Sequence, residues 1–343
     1  MSKLADDPRI DPRVKAMFGT YELPVQPLSS SREELLAQQT TAESLAEAAS
    51  LKAFLDSMGG EEVASSKGLS IRAERFTSQP DGNTVNIQFI RPETDERVAC
   101  VYYIHGGGML TQSCYDGNYR AWGRMIAAHG VAVAMVDFRN ALRPSSVSEV
   151  APFPAGLNDC VSGVNWVHRN ADSLGIDPGR IVVAGESGGG NLALATGLKL
   201  VKDGDIGRIK GIYALCPFIG GMWPIAECPS SVENEGIFLK LHNNNFYAMG
   251  YGIEAYRARN PLAWPVFASG ENVKGLPPVV ISVNECDPLR DEGINFYRLL
   301  IQNGVAARCR QVMGTVHATE VFPAMCPDIS RDGADDIARF AKW

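Results

Sequence analysis

The segment Gly185-Glu186-Ser187-Gly188-Gly189 places one serine among glycines, directly after the apolar run Ile181–Ala184. This G-x-S-x-G spacing predicts a tight turn from a strand into a helix, with the serine hydroxyl held clear of the sheet as a nucleophile. Glycines are needed at such a turn because a Cβ there would collide with neighbouring backbone. The pentapeptide is common by chance, so its chemistry depends on partners elsewhere in the chain.

A second motif, HGGG at positions 105–108, follows the strand-like run Val98–Ile104. Consecutive glycines allow bare backbone N–H groups to approach a reacting oxygen, as stabilisation of an oxyanion requires. We therefore expect the oxyanion donors to be the N–H groups of Gly107, Gly108 and, in the serine turn, Gly188. The residues expected to support these two loops rather than to react are His105, Gly106 and Glu186.

A nucleophilic serine needs a base and an acid that orients the base. His317 follows the strand-like run Ala307–Val312 and precedes the last predicted helix, which makes it the candidate base. Asp287 ends the run that begins at Val279, which makes it the candidate acid, with Glu285 and Asp291 as nearby alternatives. The chain order of serine, acid and histidine is that of α/β-hydrolases. The remaining histidines, which we interpret as loop-holding, helix-end or surface groups, are His105, His129, His168 and His242.

Together these motifs resemble the hormone-sensitive-lipase family of α/β-hydrolase esterases, over about residues 70–343. The resemblance rests on the two glycine motifs, on the segment DPLRDEG at 287–293 and on His317. It implies a serine carboxylesterase that acts on short- to medium-chain or lactone esters and needs no cofactor. Two positions depart from the family pattern, because Ala318 replaces a usual glycine and Met109 replaces a common aromatic residue.

Two other functions stay open beside the esterase. An acyltransferase or amidase would use the same three residues. A non-catalytic small-molecule receptor also occurs on this fold, but the receptor known to resemble the family lacks the catalytic histidine, and His317 is present here.

Strands alternating with helices from residue 69 onward predict an α/β-hydrolase fold, with a mostly parallel central sheet, helices on both faces and a helical cap. The alternation stops at residues 217–271, a segment rich in aromatic residues and prolines. We expect a cap segment at 1–68, core at 69–216, a cap insertion at 217–271 and core again at 272–343. The residues expected to line the substrate pocket are Met109, Trp223, Phe246 and Tyr247.

The N-terminal segment carries its own helix signals. Ser31 and Glu34 are spaced as a capping box that opens a helix. Further on, an apolar stripe that ends at Gly59-Gly60 predicts either an ordinary surface helix or, as the resemblance implies, part of a cap over the active site. The stripe consists of Leu51, Phe54, Leu55 and Met58.

The composition is that of an ordinary globular enzyme, with 343 residues, 45% hydrophobic and 21% charged. The net charge of −7 disfavours a nucleic-acid partner, because it would repel phosphate. No apolar run approaches the roughly 20 residues of a membrane span, and no signal-type segment opens the chain. The eight cysteines form no C-x-x-C pair, so we expect no metal, reduced thiols and a cytoplasmic location. The expected partner is a small-molecule ester, and a homodimer is left open.

Overall fold

The computed structural model describes residues 2–21, 28–242 and 244–343. Its centre is one eight-stranded sheet with the strand order β1-β2-β4-β3-β5-β6-β7-β8. The strands are β1 Leu69–Thr77, β2 Thr84–Pro92, β3 Val98–Ile104, β4 Ala132–Asp137, β5 Ile176–Glu186, β6 Gly211–Leu215, β7 Val279–Asn284 and β8 Ala307–Val312.

The sheet is antiparallel at one side and parallel elsewhere. Strands β1 and β2 form an antiparallel pair, and β2 also runs antiparallel to β4. From β4 through β3, β5, β6 and β7 to β8, every neighbouring pair is parallel. The carboxyl ends of these six strands therefore meet at one edge, where ligands bind in open α/β sheets.

Helices cover both faces of this sheet, which confirms the predicted fold class. The helices are α1 Lys3–Asp6, α2 Pro12–Phe18, α3 Arg32–Gln39, α4 Ala42–Asp56, α5 Gly117–Ala127, α6 Ala155–Arg169, α7 Ala171–Leu174, α8 Gly188–Asp203, α9 Ser230–Glu233, α10 Phe246–Arg257, α11 Gly270–Val273, α12 Arg290–Gln302 and α13 Pro327–Lys342.

Side chains that alternate along the central strands fill two separate cores. On β3, Tyr102 and Ile104 pack into the core that contains α6, α8 and α12. Val101 and Tyr103 point to the opposite core, which contains α5 and α13. Burial on both faces explains why these strands appear in the sequence as nearly continuous apolar runs.

The N-terminal helices pack differently from the rest. Ser31 caps α3 by accepting from the N–H of Glu34, but the Glu34 carboxylate bonds to Ser30 instead of completing the predicted box. In the predicted apolar stripe, only Leu55 and Met58 are buried. The stripe is therefore buried only at its C-terminal end.

Residues 217–271 hold the short helix α9, the longer α10 and the start of α11, which continues to Val273. Ser29 joins this segment to the N-terminal one, because its N–H donates to Asn245 Oδ1 at 3.0 Å. Among the residues that the structure describes, no helix is both long and apolar enough to cross a bilayer.

Candidate active site

Ser187 lies on the turn between β5 and α8, with φ of 55° and ψ of −120°. A Cβ added to Gly189 would overlap the carbonyl oxygen of Ile104, and one added to Gly185 would overlap the backbone of Gly189. The glycines thus permit the close crossing of strand and helix that the spacing predicts. The strained serine conformation is held by the bond from Ser187 N to the carbonyl of Leu215, at 3.0 Å.

The structure brings Ser187, His317 and Asp287 into one hydrogen-bonded line. His317 Nε2 lies 2.8 Å from Ser187 Oγ, and His317 Nδ1 lies 2.7 Å from Asp287 Oδ2. Asp287 is fully buried and His317 is 4% exposed. The second oxygen of Asp287 accepts from the N–H of Leu289 at 2.9 Å, which fixes the carboxylate. The arrangement can move a proton from the hydroxyl to the imidazole.

One detail of the sequence prediction is wrong, because Asp287 does not end its strand. Strand β7 ends at Asn284, and Asp287 lies in the turn that follows. The alternative acids are engaged elsewhere, since Glu285 accepts from the N–H of Gly314 at 2.7 Å. Asp291 accepts from the N–H of Ser230 at 2.7 Å.

A buried polar cluster that the sequence analysis missed holds the loop that carries His317. Asn284 Oδ1 accepts from the N–H of Ala318, and Asn284 Nδ2 donates to Thr315 and to Glu320. Ala318 has φ of 58°, the left-handed region that glycine adopts more readily than alanine. Burial raises the pKa of the Glu320 carboxyl. The cluster therefore holds the residue after His317 in a strained conformation.

The glycine loop lies against the serine turn. A Cβ on Gly188 would be 2.6 Å from the N of Met109 and 2.8 Å from the N of Gly108. Gly107 and Gly108 have positive φ, 87° and 64°, and the Gly107 carbonyl accepts from the N–H groups of Leu110 and Thr111. Within the described ranges, the N–H groups of Gly107, Gly108 and Gly188 donate to no protein acceptor. Three donors can therefore turn towards a ligand oxygen.

His105 and Glu186 lie beneath this loop. His105 Nδ1 is 3.0 Å from the carbonyl of Gly106, and its ring stacks on Phe138 with centroids 4.4 Å apart. Burial lowers the pKa of His105, so the ring is held neutral. Glu186 accepts from the N–H of Gly106 and from the hydroxyl of Tyr119, each at 2.6 Å. Burial raises the pKa of Glu186 to about 7.

Aromatic rings from residues 217–271 reach the glycine loop. A Cβ on Gly108 would lie 2.9 Å from the ring of Tyr247. Tyr247 packs on Phe218 at 4.7 Å between centroids and on Phe246 at 5.3 Å, and Phe218 packs on Trp223 at 4.7 Å. The predicted pocket residues Trp223, Phe246 and Tyr247 thus belong to one aromatic wall, and Phe218 was missed.

Two further pocket details differ from expectation. Met109 is 1% exposed and packs into the larger core. It therefore contributes less to the surface of the pocket than its place after the glycine loop suggests. Glu292 anchors the aromatic wall from α12, since it accepts from Trp223 Nε1 and from the N–H of Ile219. Burial raises the pKa of Glu292 to about 8. No sequence pattern distinguishes this buried carboxyl from its exposed neighbours.

The N-terminal segment also contacts the loop that carries His317. The N–H of Asp11 donates to the carbonyl of Gly314 at 2.9 Å. The ring of Phe18 lies 4.8 Å from that of Phe238 and 5.6 Å from that of Phe322.

The other histidines lie away from this site. His129 is near Asp335, His168 is in the last turn of α6 and His242 is bonded to Ser231.

Comparison with known proteins finds one matching family and several related esterases. Residues 101–321 match a family described by the alpha/beta hydrolase fold. Esterase Est22, also solved with p-nitrophenol, is 61% identical, with 100% of this chain and 99% of Est22 covered and a TM-score of 0.98. Brefeldin A esterase, a bacterial homologue of human hormone-sensitive lipase, is 34% identical over 99% of this chain and 95% of that chain, with a TM-score of 0.88. Esterase LipI of Mycobacterium tuberculosis is 30% identical over 230 residues, 66% of this chain and 67% of LipI.

A serine turn at the carboxyl edge of a parallel sheet, in contact with a histidine and an acid, defines the hydrolases of the α/β class. The chain belongs to the α/β-hydrolase family. The predicted resemblance to hormone-sensitive lipase and the predicted enzyme class, carboxylic ester hydrolase, are confirmed by these relatives.

Proposed function

We propose that the protein is a serine carboxylesterase that cleaves short- to medium-chain esters, lactones included, through an acyl-enzyme on Ser187. The observation that carries the proposal is the continuous line from Ser187 Oγ through the His317 ring to Asp287, with distances of 2.8 and 2.7 Å. These distances are within the range of hydrogen bonds through which proton transfer occurs.

In the first half-reaction, His317 Nε2 takes the proton of Ser187 Oγ while that oxygen attacks the ester carbonyl carbon. Asp287 accepts from Nδ1–H, which fixes the imidazole tautomer and stabilises the imidazolium. The bond from the carbonyl carbon to the alcohol oxygen then breaks, and His317 returns the proton to the leaving alkoxide. The acyl group stays on Ser187.

The oxygen that becomes negative in each tetrahedral intermediate is bound by the N–H groups of Gly107, Gly108 and Gly188. Among the described residues these N–H groups have no protein acceptor, which supports this role. Removing one such donor typically costs about 10²–10³ in rate. Glu186, bonded to the N–H of Gly106, acts as a positioning residue for the loop and does not react.

In the second half-reaction, His317 removes a proton from water, and the resulting hydroxide attacks the acyl carbon. The carbon–oxygen bond to Ser187 breaks, and His317 returns the proton to the serine. An acyltransferase would replace this water by an alcohol, and an amidase would differ in the first leaving group. The receptor hypothesis is not favoured, because binding alone gives no role to the line from Ser187 to Asp287.

We assign residues 1–68 and 217–271 to a cap over this site and the remaining ranges to the core. The contact of Tyr247 with Gly108 supports a closed pocket, because an aromatic wall there limits the length of the acyl chain. Each methylene that enters an apolar pocket contributes about 0.8 kcal/mol until the pocket is full.

The cytoplasmic location and the homodimer stay predictions.

The test is an acyl-length profile of kcat/KM with p-nitrophenyl esters. We expect a rise followed by a fall, with a maximum at short to medium chains, because methylenes beyond the pocket clash or stay hydrated. Deleting the N-terminal helices through α4 should raise KM more than it lowers kcat. Activity that climbs steadily into long-chain esters, with activation at an oil–water interface, would instead indicate a lipase with an open or mobile lid.

A further inference from the structure

Cys216 lies beside the proposed triad, although no step of the proposed reaction uses it. It directly follows β6, has φ of 32°, and donates its N–H to the carbonyl of Ser282 at 2.7 Å. Its sulfur, a carboxylate oxygen of Asp287 and a ring nitrogen of His317 all lie within 4.8 Å of one another. The three side chains are buried, so the group combines sulfur, nitrogen and oxygen ligands away from bulk water.

These ligand types suit a borderline-soft divalent cation. Zinc binds sulfur at about 2.3 Å, imidazole nitrogen at about 2.0–2.1 Å and carboxylate oxygen at about 2.0–2.2 Å, so ligand atoms around one tetrahedral ion lie roughly 3.3–3.7 Å apart. Asp287 Oδ2 and His317 Nδ1, at 2.7 Å, are closer than that. To bind both Asp287 Oδ2 and His317 Nδ1, an ion must push these two atoms apart by roughly half an ångström. The sulfur of Cys216 must also move towards them by up to roughly one ångström.

We propose that Cys216, Asp287 and His317 form an inhibitory binding site for thiophilic divalent cations such as Zn²⁺ and Cd²⁺. The inhibition rests on the proposed function, because the reaction needs both ring nitrogens of His317 and the cation takes one of them. Nδ1 is the nitrogen that bonds to Asp287, and Nε2 is the one that receives the proton of Ser187.

Binding is ligand exchange without electron transfer. Bonds form from the metal to the thiolate sulfur, the ring nitrogen and the carboxylate oxygen. The thiol proton passes to solvent, and so does the ring proton where Nδ1 is the ligand. The metal's own water molecules are displaced. A chelator therefore restores the hydrogen-bonded line and, with it, the activity.

Sequence spacing does not reveal this site, because its ligands come from the ends of three different strands or loops. In the part of the chain that the structure describes, it is the one group of three or more such side chains with metal-ligand spacing. Cys286 is the matched comparison. It precedes Asp287 in the sequence and is equally buried, but it packs with Val316 and Met325 in an apolar cluster.

The first test measures p-nitrophenyl acetate hydrolysis against free Zn²⁺ for the wild type, Cys216→Ser and Cys286→Ser. We expect the half-inhibitory concentration to rise by at least about 10- to 100-fold in Cys216→Ser, since even outer-shell partners of a metal ligand are worth that much. Cys286→Ser should match the wild type, and EDTA should restore activity in both. Equal inhibition of the wild type and Cys216→Ser would overturn the site.

The second test measures binding without relying on turnover. Cd²⁺ is titrated into the full-length protein, and the thiolate-to-cadmium absorption band and the bound equivalents are measured. We expect Cys216→Ser to bind one equivalent of Cd²⁺ fewer than the wild type. If circular dichroism shows that the serine variant is unfolded, the same comparison is made with Cys216→Ala. This result supports the site even in a protein without esterase activity. The same uptake by variant and wild type refutes it.

Discussion

Two helices of similar length and apolar composition differ completely in their packing. In α8, which begins at the serine turn, most residues are buried against the sheet. In α4, only Leu55 is buried, and Leu45, Leu51 and Phe54 are exposed. The first helix fixes the position of Ser187 through close packing, as in protein interiors generally.

Helix α4 is instead held mainly at its ends. Arg143 donates to the carbonyl of Ser44 at 2.8 Å, and Asp56 Oδ1 accepts from the N–H of Gly117 at 3.1 Å. Gly117 lies on the segment that follows the glycine loop, and the N–H of Arg143 donates to the carbonyl of Leu110 on that same segment at 2.9 Å. The difference teaches that the helix that carries the serine turn is positioned by tight packing, whereas α4 depends on a few polar contacts.

The largest expected effect comes from the fully buried acid, Asp287. Asp287→Asn should lower kcat/KM by about 10⁴, because the imidazole loses its orienting carboxylate. Glu285→Gln on the same loop and Asp291→Asn in the first turn of α12 are matched controls and should have much smaller effects. The assay is p-nitrophenyl acetate hydrolysis. If Glu285→Gln is the more damaging change, the acid has been assigned to the wrong residue.

A pair of leucine truncations tests the packing difference itself. Leu194→Ala in α8 removes a fully buried side chain and should cost about 2–5 kcal/mol of unfolding free energy. Leu51→Ala in α4 removes one that is 46% exposed and should change stability by no more than about 0.5 kcal/mol. Urea unfolding of both variants provides the measurement. Comparable losses would mean that α4 packs as tightly as α8.

Glu292, which anchors the aromatic wall, should show in the pH dependence of stability. The pKa of Glu292 is raised to about 8 in the folded protein, above its ordinary value of 4.5. At Glu292 the folded state therefore holds more protons between these values, and the contribution of this group to stability falls as pH rises from about 4.5 to about 8. Glu292→Gln lacks this term, so its melting temperature relative to the wild type should increase across that range.

The size of this effect is bounded, since one group contributes at most about 1.4 kcal/mol per pH unit. Glu254→Gln, at an exposed position on α10, should leave the pH slope unchanged. A melting-temperature difference between Glu292→Gln and the wild type that stays flat from pH 5 to 8 would show that burial does not hold Glu292 protonated.

Much of this arrangement is predictable because it depends on local sequence. The bounds of β3 follow from an apolar run and those of β8 from a strand-like segment before a glycine turn. The serine turn follows from glycines whose absent Cβ atoms permit the crossing. The relative placement of Ser187 and Asp287 also follows, since parallel strands end at one edge. These predictions need no knowledge of distant contacts.

What could not be predicted depends on contacts between distant segments. Asn284 and Glu320 support the His317 loop, but either could have been an ordinary strand-end or surface residue. Cys216 resembles the other apolar-flanked cysteines until β6 and β7 are placed side by side. The exposure of α4 is hidden for the same reason, because its apolar stripe has the period of a buried helix whether or not anything covers it.

The central claim is that Ser187 is a nucleophile activated by His317. The most direct measurement is covalent labelling with diethyl p-nitrophenyl phosphate, which phosphorylates activated serines, followed by mass spectrometry of the digested protein. We predict one phosphoryl group per chain on the peptide that contains Ser187, no label on that peptide in Ser187→Ala, and much slower labelling in His317→Ala. Stoichiometric label on another residue, or full ester hydrolysis by a folded Ser187→Ala protein, would contradict the claim.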